Sequence, residues 1–127
     1  MSSLQMAIIT VSQKMEKYEI EVKVVEMLRT VFDPEIPVNI YDMGLIYNID
    51  VSESVVSQDA GKQLFSVSID MTLTAPSCPA ADFMMEDIQQ KVESIDSVAS
   101  VTVNLVFEPE WNKDMMSEEA KLDLGFL

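Results

Sequence analysis

From Phe65 to Thr74 the chain alternates strictly, with Phe65, Val67, Ile69, Met71 and Leu73 set against Ser66, Ser68, Asp70, Thr72 and Thr74. A side-chain period of two is that of a β-strand with one apolar and one polar face. Such a strand hides its apolar face only against a second layer, which commits the chain to a sheet covered on one side. The strand runs into Ala75-Pro76-Ser77-Cys78-Pro79. Beyond it, Phe83, Met84, Ile88, Val92 and Ile95 fall at helical spacing up to about Ser94. Pro79 suits the first helical turn, and Asp82, Glu86 and Asp87 lie where carboxylates complement a helix dipole.

The flanking segments supply the rest of the two layers. Ile20, Val24, Met27, Leu28 and Val31 predict an amphipathic helix from Met15 to Phe32, ended by Asp33-Pro34. DPEIPVNIYDMG obeys neither period and reads as an ordered loop. In LIYNIDVS, Tyr47, Ile49 and Val51 oppose Asn48 and Asp50, which predicts a strand, with Ser52 to Lys62 as a longish hairpin loop. Val101, Val103, Leu105 and Phe107 against Ser100, Thr102 and Asn104 predict a third strand from Val98 to Phe107. The tail then reads as a proline break, an anchor at Trp111, and a short helix begun by Ser117 and closed at Gly125. Residues 1–14 show no period and are expected to form an extension to a single domain over 15–127. The order of helix, strand, strand, helix, strand and short C-terminal helix predicts an α+β two-layer sandwich. If the second and third strands are neighbours, the helix between them makes a right-handed parallel crossover.

With 127 residues the chain is long enough for one core without staples. Its net charge of −14 repels nucleic acid and anionic membrane surfaces. No apolar run approaches a membrane span. The N-terminal segment lacks the basic start of a secretory signal. One cysteine rules out an internal disulfide and points to a reducing compartment, cytosol or organelle matrix, of which the cytoplasm is the expectation.

The chemistry centres on Cys78, at a strand-to-helix junction. Free N–H groups and the dipole at a helix start favour a thiolate, and the flanking prolines fix the backbone; a lone cysteine is equally at home as a small buried hydrophobe. With no histidine in the chain, a Cys–His nucleophile cannot be built, nor can a self-sufficient zinc site. A soft-metal site needs ligands from a partner, a second protomer, glutathione or nearby carboxylates. Asp33, Glu35 and Asp42 are the carboxylates of the ordered loop, where Asp33 and Asp42 also suit turn capping. Thr72 and Thr74 lie on the polar strand face before the cysteine, within reach of its sulfur, although β-propensity alone accounts for them. Trp111 is expected to staple the tail to the sheet, with partner contact as a lesser role.

DPEIPVNIYDMGLIY, TLTAPSCPA, and VNLVFEPEW followed by MSEEAKLDLG closely resemble the SufT-like and PaaD-like metal–sulfur cluster assembly proteins, relatives of the eukaryotic cytosolic iron–sulfur targeting factor. The likeness runs from about Val22 to the C-terminus. It implies the fold of iron–sulfur assembly domains, a family motif cysteine at Cys78, and a family acidic motif at Asp33 and Glu35. It also implies a non-enzymatic maturation factor that holds a cluster or iron transiently and serves assembly proteins and client apoproteins. In a homodimer, two such cysteines could bridge one cluster. The rival readings are an adaptor that never touches metal, and an accessory subunit of a ring-modifying oxygenase complex. Ser77 replaces a glycine common in the family, and Glu110 a proline.

Overall fold

The computed structural model describes residues 3–33, 36–57, 61–74 and 81–126, with side chains from Glu16 onward. Its elements are α1 (Ser3–Leu28), β1 (Ile46–Val56), β2 (Gln63–Met71), α2 (Ala81–Glu93), β3 (Val98–Leu105), a 3₁₀ turn (Lys113–Met115) and α3 (Glu118–Asp123). The sheet order is β1-β2-β3; β1 pairs antiparallel with β2, and β3 pairs parallel with it. The parallel pair follows from α2, which carries the chain back along the sheet between the two strands.

The expected alternation is realised from Phe65 to Met71, where β2 ends; Thr72, expected on the polar face, is buried. Phe65, Val67, Ile69 and Met71 are buried, and they pack with Val51 of β1, Val101 of β3, and Ile20, Val24, Leu28, Met84, Ile88 and Val92 of the two long helices. The opposite face is polar across all three strands, with Asp50↔Ser68↔Thr102 and Asn48↔Asp70↔Asn104 in register. Ser100 Oγ donates to Ser66 Oγ at 2.9 Å, and Asn104 Nδ2 donates to Asp70 Oδ1 at 3.0 Å. This is the expected two-layer α+β arrangement.

Several boundaries differ from expectation; β2 ends at Met71 and not at Thr74, and β3 at Leu105 and not at Phe107. The first helix was expected over Met15–Phe32 and instead occupies Ser3–Leu28, 26 residues. The signal for its early half was Leu4, Ile8, Val11 and Met15 at helical spacing, which the sequence reading did not use. Its end comes sooner because Thr30 Oγ1 donates to the Met27 carbonyl at 2.6 Å, and the chain then turns so that the Ile40 N–H donates to the Val31 carbonyl. Phe32 and Asn39 form an isolated antiparallel bridge, which needs extended backbone where helix was expected. Strand β1 runs on to Val56, inside the stretch expected to be loop. Backbone pairing of Ser52 with Ser66 and Glu53 with Phe65 sustains it, although its outer side chains are exposed and carry no period.

Candidate functional site

The two residues that most invite function, Cys78 and Glu35, lie outside the described residues, as does the TAPSCPA connection beyond Thr74. What the structure fixes is the frame on either side. Thr74 follows β2, and Ala81 opens α2 with Asp82 in its first turn. Thr72 is buried and its N–H donates to the Leu45 carbonyl at 2.8 Å; Thr74 is exposed. Both line a cleft of about 130 Å³ together with Leu73, Phe107, Glu108 and Glu110. The sequence reading missed Glu108 and Glu110 as neighbours of the motif. The signal was present in the parallel pairing, because the C-terminal ends of β2 and β3 must then lie side by side.

The acidic loop is largely structural. Asp33 is buried, and its Oδ1 accepts the Ile36 N–H at 3.2 Å. Asp42 accepts from Asn39 Nδ2 at 2.7 Å while its own N–H donates to Asn39 Oδ1 at 2.8 Å, a reciprocal clamp on the turn. Asp42 borders a different cleft, with Phe32, Pro37, Glu119 and Asp123, and not the one that holds Thr72 and Thr74.

Carbonyls of the loop and the Tyr47 hydroxyl of β1 hold the tail. Trp111 Nε1 donates to the Met43 carbonyl at 2.8 Å, the Ser117 N–H donates to the Asp42 carbonyl at 2.8 Å, and the Tyr47 hydroxyl donates to the Pro109 carbonyl at 2.6 Å. Trp111, expected to staple the tail to the sheet, ties it instead to the loop ahead of β1. The tail is pinned across the ends of the strands, which sets Glu108 and Glu110 against Thr72 and Thr74.

Among the described residues, no three of His, Cys, Asp and Glu gather as a metal-holding group. An iron–sulfur cluster takes four cysteine-type ligands, and this chain has one cysteine and no histidine. Its donors do not fit a resident cluster. No helix among the described residues is long and apolar enough to cross a membrane.

A family model described as "Iron-sulfur cluster assembly protein" matches residues 21–105, a span that runs from α1 to the end of β3 and includes Asp33, Glu35 and Cys78. The chain is 60% identical over 112 residues to an Fe-S protein maturation auxiliary factor of Porphyromonas gingivalis, covering 88% of this chain and 97% of that one. It is 34% identical over 95 residues to the Fe-S protein maturation auxiliary factor SufT of Staphylococcus aureus, covering 75% of this chain and 97% of that one. The fold is similar to a solved DUF59 domain of unknown function from Bacillus anthracis, with a TM-score of 0.72 and 31% identity over 90% of this chain and 99% of that one. The family model covers residues 21–105, sequence identity extends over most of the molecule, and the chain belongs to the iron–sulfur cluster assembly protein family.

Proposed function

We propose that this chain is a cytoplasmic iron–sulfur maturation factor. It offers Cys78 as one transient ligand to a cluster or iron passing from assembly proteins to client apoproteins, and it catalyses no reaction of its own. The observation that carries this reading is the donor count: the only thiol lies within the matched span, in the connection from β2 to α2, in a chain without histidine. A single thiolate is too little to keep a cluster and enough to hand one on. Start-of-helix positions lower a thiol pKa from about 8.5 into the range of roughly 3.5–7.5, which favours the ligating form. In this reading Glu35 contributes a carboxylate, and Asp33 fixes the turn that carries it.

The test is anaerobic: iron and sulfide are supplied to the wild type and to Cys78→Ser, and cluster absorbance and activation of a client apoprotein are followed. Cys78→Ser is expected to lose both, and Glu35→Gln to lower activation. Equal loading and activation in wild type and Cys78→Ser would remove the ligand role.

One observation favours a second reading, that of a metal-free adaptor. The carboxylates of Asp33 and Asp42 hold turns, so the acidic loop is a rigid frame suited to docking. An adaptor with Cys78→Ser keeps its partners in a pull-down and still supports client maturation.

A further inference from the structure

The two edges of the sheet are built differently. The β1 edge carries Asp50 and Glu53, and its pairing with β2 is irregular near both ends, between Ile46 and Asn48 and again between Glu53 and Val56. Charges and bulges are the usual devices that keep an edge strand from pairing with another chain. The β3 edge, VASVTVNL, has no charge, no proline and no glycine, in a chain where 24% of residues are charged. Past one irregularity at its start, its register with β2 is unbroken from Ser100 to Leu105. Among the described residues, nothing pairs with its outer side.

The backbone of that edge is also aimed outward. The Val106 N–H donates to the Met71 carbonyl, so the even-numbered residues from Ser100 to Asn104 turn their N–H and C=O towards β2. Val101, Val103 and Leu105 therefore present theirs to the outside. The side chains of β3 are self-complementary under a two-fold axis. With Thr102 on the axis, Ser100 meets Asn104 on the polar face, and Val101 meets Val103 on the core face, where each pair can exchange both backbone hydrogen bonds. Because the chain carries −14, most contacts between two copies would oppose carboxylates; β3 is a stretch where they would not.

We propose that β3 pairs antiparallel with β3 of a second copy about an axis through Thr102, which doubles the three-stranded sheet into one continuous sheet. The proposal goes beyond the maturation reading and does not rest on it. It constrains that reading, however. Ser68 of β2 is level with Thr102, and the six residues from there to Thr74, the last three beyond the strand's end at Met71, span at most about 20 Å. The two-fold sends the two Thr74 residues to opposite ends of the sheet, on the order of 40 Å apart along the strands, and the four residues from Thr74 to Cys78 reach at most ~14 Å each. In this dimer the two thiols could meet only if both connections ran fully extended toward the axis, which favours separate sites over one bridged cluster.

The experiment is sedimentation equilibrium on the full chain across the micromolar range, with the wild type, Thr102→Lys, Thr102→Glu and an equimolar mixture of the two variants. Thr102 is exposed, so the substitutions leave the core alone, and circular dichroism checks the fold. The wild type is expected to be a dimer that dissociates on dilution, each variant to weaken it by about ten-fold or more, and the mixture to restore it. As an independent arm, Thr102→Cys under mild oxidation should give a disulfide between the two introduced thiols, identified by peptide mass, because the axial pair brings its Cα atoms to about 4.5 Å. A wild type that stays monomeric throughout overturns the proposal, and with it leaves β3 to an extended segment of another protein. A dimer indifferent to both charge substitutions, or no crosslink from Thr102→Cys, overturns it too.

Discussion

Gly44 ends the acidic loop with φ of +80°, and a Cβ built there would overlap the backbone carbonyl of Met115. The glycine of YDMG is thus fixed by two demands: a left-handed backbone and the close approach of the tail. Gly61 shares the first demand only, with φ of +62° and no atom within 4 Å of a built Cβ. Gly61→Ala should cost about 1 kcal/mol of stability, whereas Gly44→Ala should cost at least about 2 kcal/mol. Urea unfolding gives both values. In Gly44→Ala alone, Trp111 emission should shift to the red in the native state, because the tail must lift from the Met43 carbonyl. Equal costs with unchanged emission would show that the tail does not rest on Gly44. The sequence disclosed this loop as ordered but not its purpose, because turn-capping and metal-binding carboxylates look alike in sequence; the Ile36 N–H identifies Asp33 as a capper, while the second turn is capped by Asn39, whose amide Asp42 holds.

At the scale of elements, what could be read depended on whether burial imposed a period. Strand β2 is buried on one face along its length, so its pattern is complete. The last residues of β1 carry no such imprint, since backbone hydrogen bonds hold the ladder whatever the side chains do. The α2–β3 turn is tied to the start of β2 by an ion pair, in which Lys62 Nζ meets Asp96 Oδ2. The hydrogen bond from Lys62, and then its charge, hold the Asp96 carboxyl below the ordinary carboxylate range. Because the folded value is depressed, the pair's stabilisation is present above the unfolded value of about 3.9 and is lost as pH falls through the folded value. In an NMR titration, Lys62→Met should return Asp96 to the ordinary range. The pair is exposed, so the midpoint of thermal unfolding at neutral pH should barely change. An Asp96 titration indifferent to Lys62→Met would mean that the pair does not persist in solution.

At the scale of the whole molecule, the charge of −14 acts on every encounter and gives opposite signs to self-pairing and to docking on any cationic partner surface. Pairing through the uncharged β3 must work against the mutual repulsion of two acidic bodies. Docking to a basic surface of an assembly partner is drawn in by the same field. Salt separates them, since the screening length falls from about 30 Å at 0.01 M to about 8 Å at 0.15 M. Raising salt over this interval should therefore strengthen self-association, measured by sedimentation, and weaken the capture of a cationic partner, measured as a slower association rate. If self-association weakened instead, opposite charges would be meeting across the interface. VASVTVNL carries none, so that sign of salt dependence would place the contact somewhere other than β3.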